Sequence, residues 1–246
     1  MGATFSFFHS NRFPDCPQGD HKSLFNIPVQ MELQGHPART TVKLSETCVY
    51  GQYERYHVYH EAVRRVRGRT YEGTDFEEFY QKNEFDAFYD RSENTLVCAA
   101  GKSLAHSFVE YLNKIHPSDF NADYLHLDFQ QLRPRLGEIS GIWVSKMSQP
   151  FLNCMALYGP NVDKSNMYKL AESLGVASSM LVAHKYQGKS YPVLLSCEYL
   201  IAFPTQEPTE VYFQIIRDMQ ATLFKDAISM LDSKYNKKKR QKVKRS

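Results

Sequence analysis

Along the chain, apolar residues change their spacing several times, and each change marks an expected element. Between Thr47 and Tyr71 a Tyr-, Val- and Arg-rich run places Tyr56, Val58 and Val66 on one side. That alternation predicts two strands with a bulge near Glu61. The next segment, TDFEEFYQKNEFDAFYD, carries aromatic residues at 76, 79, 80, 85, 88 and 89, which suits one or two short helices. Asn94 to Ala100 reads as a strand. Ser103 then caps a helix with an apolar face of Leu104, Phe108, Leu112 and Ile115, stopped by Pro117.

Further on, Tyr124 to Phe129 alternates as a strand would, with Leu125, Leu127 and Phe129 on one side and His126 and Asp128 on the other. Gly141 to Met147 and Phe151 to Tyr158 form a strand pair around Ser148, Gln149 and Pro150. Asp163 is the expected cap of a helix burying Met167, Leu170, Ala171 and Leu174, ended by Gly175 in a left-handed cap. MLVAHKY, a Gln187-Gly188 turn, YPVLLS and EYLIAF give three strands in succession. From Thr209 to Leu231, Tyr212, Ile215, Ile216, Met219, Leu223, Ala227 and Met230 recur at helical spacing, which predicts one long amphipathic helix. Residues 1 to about 45, with Pro14, Pro17, Pro28 and Pro37, offer only short extended pieces.

Strands and helices therefore mix without a regular βα alternation. The expected class is α+β, a mixed, largely antiparallel sheet with packed helices and the long C-terminal helix. The change of character near residue 90 divides the chain into a β-rich region over 1–90, an α+β domain over 91–232 and a disordered tail over 233–246. At 246 residues with 42% hydrophobic and 13% aromatic content, the chain has the apolar surface needed for a core.

Composition narrows the setting. No stretch approaches the roughly 20 apolar residues of a membrane span, and the N-terminus lacks a secretory signal pattern. The five cysteines are widely spaced with no CxxC pair, and Cys98, Cys154 and Cys197 sit in apolar runs. These features predict a soluble protein of a reducing compartment, cytoplasmic, or nuclear in a eukaryotic host. No cofactor and no metal-ligand set is implied.

The net charge of +3 conceals an asymmetry. From Lys234 onward there are eight basic residues and no acidic one, which leaves 22 basic against 27 acidic residues in the body. A tail of +8 is thus attached to a body of −5. Lys237, Lys238, Lys239, Arg240, Lys242, Lys244 and Arg245 would contact any polyanion and release its counterions. The other basic feature is Arg65, Arg67 and Arg69, which on a regular strand form a ladder about 6.6 Å apart, close to the phosphate spacing of a single strand. Its alternative is a charged edge paired with the acidic segment Asp75 to Glu78.

Catalytic signatures are thin. Gly101-Lys102-Ser103 lies between a strand and a helix, but no glycine-rich loop precedes it, so a turn is expected rather than a phosphate cradle. His57 and His60, three apart on a strand, face opposite ways. His126 and Asp128 share a face, with Glu138 the nearest following carboxylate, and these three are the candidate acid-base or metal residues of a nuclease or phosphodiesterase. The leading expectation is a non-enzymatic nucleic-acid-associated protein anchored by its tail, with no membrane association and with a protein partner for the body. The alternatives are that metal-dependent nuclease and an adaptor subunit of a larger assembly, which would leave an apolar patch exposed.

Overall fold

In the computed structural model, residues 2–14, 32–33 and 36–224 are described. The chain divides into two units, one of Phe5–Asp123 and the other of residues 2–4 with 124 onward.

The first unit is built on β1 (Ala3–Arg12), the two-residue strands β2 (Glu32–Leu33) and β3 (His36–Pro37), β4 (Thr40–Val49), β5 (Tyr53–Arg69), β6 (Asp75–Asp90), β7 (Thr95–Cys98), helix α1 (Lys102–Ile115) and β8 (Asn121–Tyr124). The order β1-β7-β6-β5-β4 is antiparallel throughout, and β8 joins β1. One face buries Tyr56, Val58 and His60 of β5 with Phe85 and Ala87 of β6. Helix α1 covers it with Ala105, Phe108, Val109, Tyr111 and Leu112, and the Phe108 ring meets Phe85 edge to face at 5.4 Å.

Several expectations change here. The segment 75–90 is a single strand, not helices, because its Phe and Tyr residues pair against β5 over almost its whole length. β5 runs unbroken past Glu61, and its register shifts between Arg65 and Gly68 instead. Helix α1 is capped by the extended backbone of Gly101 with no side-chain cap bond, so Ser103 is an ordinary helical residue. Its buried face is rotated from the expected one, with Leu104 and Ile115 only half-buried.

The second unit contains α2 (Phe129–Leu132), β9 (Glu138–Ser145), β10 (Cys154–Tyr158), α3 (Asn166–Leu174), β11 (Val176–Tyr186), β12 (Lys189–Ser196), β13 (Leu200–Phe203) and α4 (Thr209–Met219). Its sheet runs β10-β9-β11-β12-β13, antiparallel along its length. The expected strand pair and the three successive strands are all present. Gln187 (φ 48°) and Gly188 (φ 76°) both take the left-handed conformation that a two-residue hairpin turn requires. The inner face carries Met180, Val182 and His184, against which α4 buries Tyr212, Phe213, Ile215, Ile216 and Met219. His184 Nε2 lies 2.8 Å from Asp218 Oδ2, joining β11 to α4.

Two helix assignments are corrected. Helix α3 is capped by Ser165, whose hydroxyl accepts from the Tyr168 amide, and Asp163 lies in the preceding 3-10 turn. Of the expected face only Ala171 is buried, together with Tyr168, while Met167 and Leu170 stay exposed. Gly175 ends it in an extended conformation (φ −158°), so the glycine serves close packing rather than a left-handed cap. A Cβ there would sit 2.7 Å from the Ser145 carbonyl oxygen and 2.9 Å from Val144 Cγ1. The C-terminal helix is α-helical over Thr209–Met219 and continues as a π turn to Phe224. Its expected extension to Leu231, and the whole basic tail, lie outside the described residues. Among those residues no helix is long and apolar enough to cross a membrane.

Candidate nucleic-acid interface

Strands β5 and β6 are far longer than their neighbours. β4 pairs β5 only as far as His60, and β7 pairs β6 only from Ala87 onward. Beyond those points the two strands continue alone as a hairpin, and no residue from 63 to 84 is buried. Eight or so residues per strand give this ribbon a length on the order of 25 Å. It closes through a loop in which the Thr70 amide donates to the Thr74 carbonyl (2.8 Å) and Gly73 takes φ 88°.

The arginines lie on this ribbon, but not as the expected ladder. Arg65 stands opposite Glu78, Gly68 opposite Phe76 and Arg69 opposite Asp75, so two β5 residues face one on β6 between them. This bulge shifts the alternation by one. Arg65 projects on one face, while Arg69 shares the other with Arg64. The Phe76 ring fills the space over Gly68, where a Cβ would lie 2.5 Å from it.

Each arginine also has a cross-strand partner. Arg65 Nε is 2.8 Å from Glu78, Arg67 Nε 3.4 Å from Glu77 and Arg69 Nε 2.9 Å from Asp75, and Arg64 Nε donates to Gln81 (2.6 Å). The pairing with the acidic segment, the alternative reading of these residues, is therefore present. The three ion pairs are mostly exposed, and such pairs exchange readily with solvent or another anion. Between 63 and 84 there are five basic and five acidic residues, so the ribbon alone carries no net positive charge.

The proposed acid-base trio is not assembled. Leu125, Leu127 and Phe129 are buried and His126 and Asp128 exposed, as the alternation implies, but β8 ends at Tyr124 and the segment is not a strand. Asp128 caps α2, accepting from the Gln130 amide at 3.1 Å. Glu138 is exposed at the start of β9. Among the described residues no three His, Cys, Asp or Glu side chains come together as a metal-holding group. A capping role makes a specific prediction: Asp128→Ala should cost about 1 kcal/mol of stability, read by urea denaturation.

A cluster that spacing alone did not reveal surrounds His60. The imidazole is 1% exposed. Its Nδ1 lies 2.8 Å from Thr40 Oγ1 and its Nε2 3.0 Å from Ser107 Oγ, with Phe108 and Tyr111 against the ring. A serine and an oriented histidine resemble a nucleophile and its base. Burial pushes the imidazole down to about 4, however, and its orienting partner is a hydroxyl rather than a carboxylate. So weak a base cannot draw the Ser107 proton usefully near pH 7. The cluster satisfies polar groups within the core. On the opposite face, His57 lies 3.4 Å from Asp86, which also accepts from Arg55 Nη2 at 2.7 Å and thereby raises the Arg55 pKa.

No protein-family model matches the chain, and no curated protein is significantly similar to it in sequence.

Proposed function

We propose that this is a nucleic-acid-associated protein in which the basic C-terminal tail supplies the affinity and the β5–β6 ribbon a shaped secondary contact. The observation that carries the reading is the charge separation, eight cations in the last thirteen residues against an acidic body. A two-stranded ribbon has the cross-section to enter the major groove of a duplex. Arg65, Arg67 and Arg69 can exchange exposed carboxylate partners for phosphates, and Arg64 its Gln81 partner. Because the ribbon is neutral overall, it would orient rather than anchor.

The test is binding of duplex DNA and of single-stranded RNA at two salt concentrations, for the full chain and for a truncation after Leu231. The full chain should show a steep salt dependence, with a log–log slope approaching about −7 on duplex if all eight tail cations engage phosphates. Truncation should lower affinity by about 100-fold and flatten that slope, whereas Arg67→Ala should reduce the slope by about one. Unchanged affinity after truncation would end the anchoring idea.

A further inference from the structure

Among the described residues, the edge strand of the second unit's sheet carries no charge, proline or bulge. β10 is the terminal strand among the described residues, with β9 on one side only. Edge strands are normally blunted by a lysine, a proline or a bulge, since their free N–H and C=O groups template pairing with another chain. β10 reads Cys-Met-Ala-Leu-Tyr and pairs with β9 in unbroken register. No charged residue occurs between Lys146 and Asp163, although charged residues make up 23% of the chain.

Apolar side chains are gathered along the same rim. Phe151, just before β10, is fully exposed, and Tyr158 at its end is 66% exposed. Tyr158 lies over Gly141 and meets the Trp143 ring edge to face at 5.3 Å, which holds it in place on the outer face. Helix α3 packs against β10 and leaves Met167 and Leu170 more than half exposed. With full side-chain areas of roughly 150–200 Å² each, these four residues offer on the order of 400–550 Å² of apolar surface.

We infer that this rim is a dimer interface, in which β10 pairs antiparallel with β10 of a second copy of this chain. An uncharged strand is matched by its own copy and gives a charged partner nothing to pair with. A two-fold axis through the β10 pair makes the contact isologous and closes it at two copies. The same axis sets α3 beside its counterpart, so that Met167 and Leu170 are covered together with the strand. With the strand backbone added, each side stays below the ~800 Å² of a standard interface, which makes the dimer a concentration-dependent one. The inference does not depend on nucleic-acid binding.

The test is sedimentation of the full chain from about 1 to about 100 µM, a range suited to interfaces of this size. The mass should rise from 28.5 kDa toward twice that value. Ala156→Lys and Leu170→Glu should each weaken dimerisation at least tenfold, while Phe79→Ser, an exposed apolar site on the ribbon, should leave it unchanged. A chain that stays monomeric throughout, or a dimer indifferent to both rim variants, overturns the inference. Should either variant misfold, the wild-type protein decides the matter by hydrogen exchange. Amides of 154–158 should exchange more slowly at high concentration, and concentration-independent exchange there rejects the interface.

Discussion

Acidification from pH 7 to pH 4 is expected to remove roughly 3 kcal/mol of stability from the first unit through His60, at about 1.4 kcal/mol per unit of pKa difference. The unfolded chain titrates this imidazole near 6.5, whereas burial holds it down to about 4 in the fold. Between those values the unfolded state binds the proton and the folded state does not, so each step down in pH favours unfolding. Above pH 6.5 both states are neutral and the contribution is complete. Below about 4 both are protonated and no further loss accrues. His116 is lowered in the same direction by burial, against an opposing pull from Asp119, and adds to the trend.

Carboxylates also titrate over part of this window, so a variant must isolate the histidine. His60→Gln keeps a polar side chain between Thr40 and Ser107 but has no proton to gain. It should be less stable than wild type at pH 7, with the difference shrinking by roughly 3 kcal/mol on the way to pH 4. A difference that stays constant with pH would show that His60 does not carry the effect. Native-state hydrogen exchange of α1 and β5 amides is the suitable measurement, because the single tryptophan, Trp143, lies in the other unit and does not report this one.

The His60 cluster shows where sequence reading stops. That His57 and His60 face opposite ways follows from strand periodicity, and the structure agrees. What surrounds His60 does not follow, because Thr40 is twenty residues upstream and Ser107 forty-seven downstream, brought together by β4 and α1. Local signals worked where local geometry decides the outcome. The Gln187-Gly188 hairpin, the stop at Pro117 and the buried stripe of α4 were legible because turn chemistry, proline and helical period each act within a few residues. Residues 75–90 were not, since aromatic residues suit either element and only pairing with β5 settles the choice. The arginine ladder failed for a related reason. Alternation holds along β5 as far as Arg65, but a single extra residue between Arg65 and Gly68 turns the later side chains to the other face.

Helix α3 supplies the sharpest contrast between pattern and packing, and the largest expected effect of one substitution. The spacing predicts a buried face of Met167, Leu170, Ala171 and Leu174, whereas the helix buries Tyr168 together with Ala171 and leaves Met167 and Leu170 exposed. Tyr168 is 2% exposed, donates its hydroxyl hydrogen to Glu172 at 2.9 Å and lies beneath the Arg133 guanidinium, 5.3 Å from its ring centre. Burial and the Glu172 carboxylate both raise its pKa, so the phenol stays protonated and keeps donating. Tyr168→Ala would open a cavity and leave the half-buried Arg133–Glu172 pair without the ring that shields it. The expected cost is about 3–5 kcal/mol, that of truncating a buried aromatic residue. Met167→Ala, one position away, should change stability by no more than about 0.5 kcal/mol in dilute protein, where a side chain more than half exposed has little packing to lose. Guanidinium denaturation followed by Trp143 fluorescence reads both variants within the same unit. Equal costs would mean that α3 is rotated from the arrangement described, with Met167 and Leu170 turned inward and removed from the dimer rim as well.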